Sequence, residues 1–219
     1  RVSVIEFDGV AHRFGDRPVL QEITLALGEH RIGIIGANGS GKSTLIRMIN
    51  GLVVPEQGRV LVHGRDTATQ GREVRRLVSF LFSDPDAQIV MPTVQEDVAF
   101  SLKRHRISGD ERAQRVSAAL ELVGIADLAE QPAHALSSGQ KQLLAATAIL
   151  VTEPSILVCD EPTTLLDLSN ARRLMRLIDD LPQQVVLVTH DLSIVQGWER
   201  VIVLDLSLIH ISEPTRPER

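Results

Sequence analysis

Arg31-Ile32-Gly33-Ile34-Ile35-Gly36-Ala37-Asn38-Gly39-Ser40-Gly41-Lys42-Ser43-Thr44 is the stretch that decides the fold. Its first five residues form a short apolar run that suits a buried strand of a parallel sheet. Residues 36–44 match G-x-x-x-x-G-K-[ST], a phosphate-binding loop. From Ser43 to Asn50, Leu45, Ile46, Met48 and Ile49 keep helical spacing, and Gly51 marks a helix stop. The order is strand, glycine loop, helix. Polyphosphate needs many donors at short range. Glycines let the backbone bend so that successive N–H groups converge on one anion. The helix that follows adds its N-terminal amides and its dipole. On this reading Gly36, Ala37, Asn38, Gly39, Ser40, Gly41, Lys42, Ser43 and Thr44 cradle the phosphates. Lys42 reaches the terminal phosphates and Ser43 holds Mg²⁺.

Outward from this stretch the chain alternates. Upstream, 2–7 and 23–27 read as strands broken by a Gly-Asp-Arg-Pro turn at 15–18. Downstream, strands are expected at 59–62 and 77–82. From Asp84 to Ala146 strands become scarce, while 94–102, 109–123 and 138–150 carry helical periodicity. That stretch reads as a helical subdomain, about 84–146, inserted in an α/β core. The core resumes with strand 156–160, helix 168–181, strand 185–189, helix 191–197 and strand 200–204. Alternation of this kind implies a mostly parallel sheet covered on both faces. The domain is taken as 1–205. The stretch 206–219 has prolines at 214 and 217 and no clean period, and is set aside as a non-native or disordered tail.

Ile156-Leu157-Val158-Cys159-Asp160-Glu161-Pro162 is a second strand, ending in two carboxylates. Opposite a phosphate loop, Asp160 suits a Mg²⁺ site. Glu161, where the strand ends, suits a base that polarises a water, worth roughly 10²–10⁴ in rate. An exposed acidic turn is the plain alternative. Leu136-Ser137-Ser138-Gly139-Gln140 precedes a helix, and either Ser137 or Ser138 suits its cap. A serine cap is commonplace, so physics alone does not make this stretch a binding site.

Taken in order, these segments resemble the ATP-binding subunits of ABC transporters, over essentially 1–205. The fold implied is a P-loop NTPase with an N-terminal antiparallel β subdomain, a mostly parallel sheet core and the helical insert. Residues 137–140 resemble the family signature L-S-G-G-Q, with Ser138 in place of its first glycine. The resemblance implies that Ser137, Ser138, Gly139 and Gln140 serve the ATP of an opposite subunit. It implies that Phe14 stacks on adenine and that Thr164-Leu165-Leu166-Asp167 contacts the partner. His190, in Val188-Thr189-His190-Asp191, takes the place of the switch histidine at the γ-phosphate. Glu161, His190 and Lys42 are then the catalytic residues, and Ser43, Asp160 and Ser83 the Mg²⁺ residues. Ser83 is a departure, because the family keeps glutamine there. Its hydroxyl can still meet the cation, and Gln88 nearby is not assumed to replace it.

Ser83 to Phe100 is similar to the energy-coupling-factor branch, with P-D-x-Q and then P-T-V-x-E-D-V-A-F. That branch imports vitamins or transition-metal ions. Residues 160–168 together with Ser83 favour the biotin-transport ATPases over those for cobalt or nickel. The implied function is the ATP-hydrolysing motor of such an importer. It would work as a homodimer or with a similar ATPase subunit, on transmembrane subunits and a substrate-binding membrane subunit, at the cytoplasmic face of the membrane. The alternatives are a low-turnover nucleotide-dependent regulatory module and a soluble ABC ATPase not tied to transport.

Composition agrees. The 219 residues suffice for one well-buried domain. A net charge of −5 argues against a nucleic-acid partner, although Arg72–Arg76 is locally basic. Cys159 is the single cysteine, so no intrachain disulfide can form, and its apolar run makes it a buried strand residue. No run approaches the ~18–20 apolar residues that cross a bilayer.

Overall fold

The structure is a computed structural model that describes residues 4–105, 107–205 and 208–212. Two compact units make up the chain. The first comprises Arg1–Phe80, Ser155–Glu161 and Pro182–Arg219; the second comprises Leu81–Pro154 and Pro162–Leu181.

The first unit holds two sheets. β1 (Ile5–Phe14) and β2 (Arg17–Leu27) pair antiparallel, and β4 (Gln57–Val62) and β5 (Arg65–Asp66) complete a four-stranded sheet in the order β2-β1-β4-β5. Alternation in these strands puts Ile5, Phe7, Leu25 and Leu27 on the buried face. The second sheet is built on β3 (Arg31–Ile35), β6 (Val78–Leu81), β7 (Ile156–Asp160), β8 (Gln184–Val188) and β9 (Arg200–Asp205). With β10 (Leu208–Ser212) its order is β10-β9-β3-β8-β7-β6. β3 pairs parallel with both β8 and β9, and β7 pairs parallel with β8. Every residue of β7 and of β8 is buried, the pattern of strands covered on both faces. Helix α1 (Lys42–Ile49) follows β3, with Leu45, Ile46, Met48 and Ile49 fully buried.

The α/β expectation is met, with an antiparallel sheet at the N-terminus and a mostly parallel core. The first two strands are longer than expected: β1 runs on to Phe14, and β2 starts at Arg17, inside the turn expected at 15–18. Three other local readings differ. Residues 191–197, expected as a helix, form turns. Asp191 accepts hydrogen bonds from Ser193 N–H at 2.9 Å and from its hydroxyl at 2.7 Å, a local alternative to helix bonding. Arg72–Arg76, noted as a basic patch, lies in helix α2 (Gly71–Leu77), which went unrecognised because Val74 is its sole buried residue. β10 falls in the stretch set aside as a tail; the rest of 206–219 lies outside the described residues.

The second unit is largely helical. α3 (Val94–Ser101) opens on a capping box between Thr93 and Glu96. α4 (Gly109–Val123) starts at the Ser108 cap and stops at Gly124, which adopts φ 72°. α5 (Ser138–Leu150) is mostly buried, and α6 (Leu168–Asp179) is capped by Asp167. No helix among the described residues is long and apolar enough to cross a membrane.

Candidate nucleotide site

In an open parallel sheet, ligands gather beyond the carboxyl ends of the strands. Adjacent strands β3, β8 and β7 end here in Gly36–Lys42, Thr189–His190 and Asp160–Glu161 respectively. The sequence-predicted polar residues of the first unit therefore converge on one edge.

The loop after β3 is shaped by close approach. A Cβ on Gly36 would overlap the Leu204 carbonyl oxygen. Gly41 adopts φ 99°, and a Cβ there would meet the Val19 carbonyl oxygen at 2.8 Å. Gly41 leads α1 with no side-chain cap, so the first amides of the helix carry no internal side-chain acceptor. Lys42 is 6% exposed, and its ammonium donates to the carbonyls of Gly36 at 2.8 Å and Ala37 at 2.9 Å. Among the described residues the buried Ser40 hydroxyl has no partner. An uncapped helix start, a lysine over the loop and an orphan hydroxyl fit a polyphosphate. The exposed residues Ala37, Asn38 and Gly39 form the crest of the loop, and Thr44 is buried beneath it. Phe14, 59% exposed, pairs with Arg17 across the β1–β2 hairpin. The Arg17 guanidinium lies 3.7 Å from where a Gly39 Cβ would sit, so the start of β2 reaches the loop. His12 meets the Phe14 ring edge-on, at 5.0 Å between centroids.

Ser43 donates through its hydroxyl to Asp160 Oδ1 at 2.9 Å. Arg47, one turn further along α1, donates to Oδ2 at 3.3 Å. Sequence reasoning missed Arg47; its i+4 spacing from Ser43, on the same helix face, was the available signal. The hydroxyl and carboxylate oxygens are hard donors that suit Mg²⁺, which draws its remaining ligands from water and phosphate. Among the described residues no cluster of three or more His, Cys, Asp or Glu side chains offers a richer metal site.

Glu161 adopts φ 52°, a strained left-handed conformation worth roughly 1–3 kcal/mol. Its N–H donates to Val188 O at 3.0 Å, which ties the turn to β8. The side chain then lies 2.7 Å from His190 Nδ1 through Oε2. His190 is presented by a tied turn: Thr189 N–H donates to Ile34 O at 3.1 Å, and Asp191 N–H donates to Thr189 Oγ1 at 3.0 Å. The Ser193 hydroxyl and N–H hold the Asp191 carboxyl below the usual carboxylate range. Cys159, just before the pair, is buried, and burial pushes its thiol up.

The second unit holds Ser83 and residues 137–140. Ser137, not Ser138, is the cap of α5: its Oγ accepts from Gln140 N–H at 3.3 Å, and Gln140 Oε1 accepts from Ser137 N–H at 2.9 Å. Ser138 is exposed and Gly139 is buried. Ser83 is half-buried and follows a clamped residue. Phe82 N–H donates to Gln88 Oε1 at 2.9 Å, and Gln142 Nε2 donates to Phe82 O at 2.9 Å. That oxygen of Gln88 is thereby committed to the backbone. Gln142, a polar residue inside an apolar helix run, was not singled out in the sequence.

The family model described as ABC transporter matches residues 20–164. The biotin transport ATP-binding protein BioM of Rhizobium etli is 44% identical over 210 residues, 96% of this chain and 93% of the relative. A solved structure of cbiO1 from Clostridium perfringens, described as part of the ABC transporter complex cbiONQ, is 30% identical with a TM-score of 0.88. It spans 98% of this chain and 89% of its own. The dimeric post-hydrolysis structure of the ATP-binding cassette MJ0796, bound to ADP and Pi, is 26% identical with a TM-score of 0.83, over 97% and 99% of the two chains.

Proposed function

Because the chain belongs to the ABC transporter family and is one of its ATPases, we propose that it drives an energy-coupling-factor importer for a vitamin, biotin before cobalt or nickel ions. It works at the cytoplasmic face of the membrane, beside transmembrane subunits and a substrate-binding membrane subunit. The observation that carries the ATPase chemistry is the shared edge where Lys42, Ser43, Asp160, Glu161 and His190 meet. The importer class is supported by the likeness to BioM and cbiO1.

Residues 36–44 hold the phosphates and Phe14 stacks on adenine. Ser43 and Asp160 would hold Mg²⁺, which when bound draws charge from the phosphate oxygens. Lys42 exchanges its two loop carbonyls for phosphate oxygens. Glu161, held against His190 through Oε2, takes the proton of an attacking water. His190 meets Glu161 through Nδ1 and has Nε2 left for the γ-phosphate, where it donates only with a proton on that nitrogen. Ser137, Ser138, Gly139 and Gln140 serve the ATP of a second subunit, in a head-to-tail homodimer or a pair with a similar ATPase. Leu165 and Leu168, 55% and 66% exposed beside Asp167, support an interface there.

Two measurements test this. Mg²⁺-ATP hydrolysis per chain is expected to rise with chain concentration and to vanish in Lys42→Ala. A rate per chain that stays flat with concentration overturns the composite dimer. Labelled biotin uptake is expected to need this gene; biotin uptake intact without it, with cobalt or nickel uptake lost, moves the substrate to the metals.

A further inference from the structure

We propose that Asn170 is a positioning residue that ties the start of α5 to the loop at residues 163–167, so that both meet the opposite subunit as one rigid surface. The proposal rests on the head-to-tail reading above.

Asn170 works on two sides. Toward α5, it fills the space where a side chain on Gly139 would be. A Cβ there would overlap Asn170 Cγ and Nδ2 and lie 2.9 Å from its Cβ. Toward the loop, Asn170 holds both oxygens of one carboxylate. Its N–H donates to Asp167 Oδ1 at 2.9 Å, and its Nδ2 donates to Asp167 Oδ2 at 2.7 Å. These two bonds keep the exposed Asp167 carboxyl below the usual range. Asp167 also caps α6, so the end of the loop and the start of the helix share one anchor.

A cap bond from the third helical residue is ordinary on its own. The contact with Gly139 is what sets Asn170 apart. α5 cannot shift toward α6 without displacing the Asn170 side chain, and that side chain cannot move without releasing Asp167 Oδ2. The same contact explains which signature glycine this chain retains. Position 138 faces outward and accepts serine; position 139 lies against Asn170 and accepts no side chain.

The test uses the full chain carrying Glu161→Gln, so that bound ATP persists. Sedimentation against chain concentration gives the midpoint of ATP-dependent dimerisation. A fluorescent ATP analogue gives nucleotide affinity, and thermal melting gives stability. Asn170→Ala is expected to raise the dimerisation midpoint about tenfold, with nucleotide affinity within about twofold. Asn170→Ser, which keeps a short donor for Asp167, is expected to recover part of the loss. Gly139→Ala should lower the melting temperature, and Asn170→Gly in the same chain should restore it. An unchanged midpoint in Asn170→Ala overturns the tie. So does a loss that follows the melting temperature and is not recovered by serine. A Glu161→Gln parent that never dimerises with ATP removes the head-to-tail reading, and the tie with it.

Discussion

Two helices of this protein open on glycine and serine, and they are finished differently. α1 starts at Gly41 in a left-handed conformation with no side-chain cap, under a lysine that rests on loop carbonyls. α5 starts at Ser137 with a reciprocal cap from Gln140. One helix start is left for a ligand to complete. The other satisfies itself and keeps its shape unaided. The difference teaches that a glycine-rich helix start is no site by composition alone. What matters is whether its amides are already engaged.

The contrast can be broken by substitution, beginning with the chemistry. Glu161→Gln is expected to slow hydrolysis by roughly 10²–10⁴ while nucleotide binding persists, read by single-turnover kinetics beside equilibrium binding. Turnover near the wild-type rate would remove Glu161 from the base role. Gly41→Ala should be next. A methyl there strains the left-handed backbone and presses on Val19 O, so about 1–3 kcal/mol of stability and most nucleotide affinity should go together. Ser137→Ala should cost about 0.5–2 kcal/mol in denaturant unfolding and leave nucleotide affinity of the single chain unchanged. Equal damage to affinity by both substitutions would erase the distinction between the two helix starts.

The smallest effect concerns pH. Burial pushes Glu29 up, but the N–H groups of Glu29 and Gly28, with Arg200 at 3.1 Å, leave its carboxyl net below its ordinary value. A carboxyl lowered by folding stabilises above its unfolded value, and that contribution disappears as pH falls through the folded value. Wild type should therefore lose its advantage over Glu29→Gln as pH drops below about 4.5, seen as converging melting temperatures. A gap that stays constant through that range would remove the carboxylate as its source.

Much of the fold was legible because its signals are local. Residues 31–44 encode strand, loop and helix in consecutive positions. The bounds of α4 and α5 follow from apolar spacing with Ser108, Gly124 and Ser137 at their ends. What escaped was non-local or weakly patterned. β10 exists through pairing with β9, which no spacing within 208–212 announces. α2 buries Val74 and nothing else, and the 191–197 turn depends on one aspartate that can cap or join a helix. At the site, residue types were readable and partners were not. By residue type Ser137 and Ser138 are equal candidates; the cap bonds single out Ser137. Arg47 on Asp160, and Gln88 and Gln142 on Phe82, needed the fold to bring them together.

The lone cysteine turns this chain into a convenient ruler. Cys159 is sealed in β7 with its thiol pushed up, so thiol reagents should pass over the folded protein. A cysteine placed at Leu165 or Leu192, both exposed, would carry a spin label or fluorophore with no background to engineer away. Distances between two such labels could then follow the ATP cycle in an otherwise unchanged sequence.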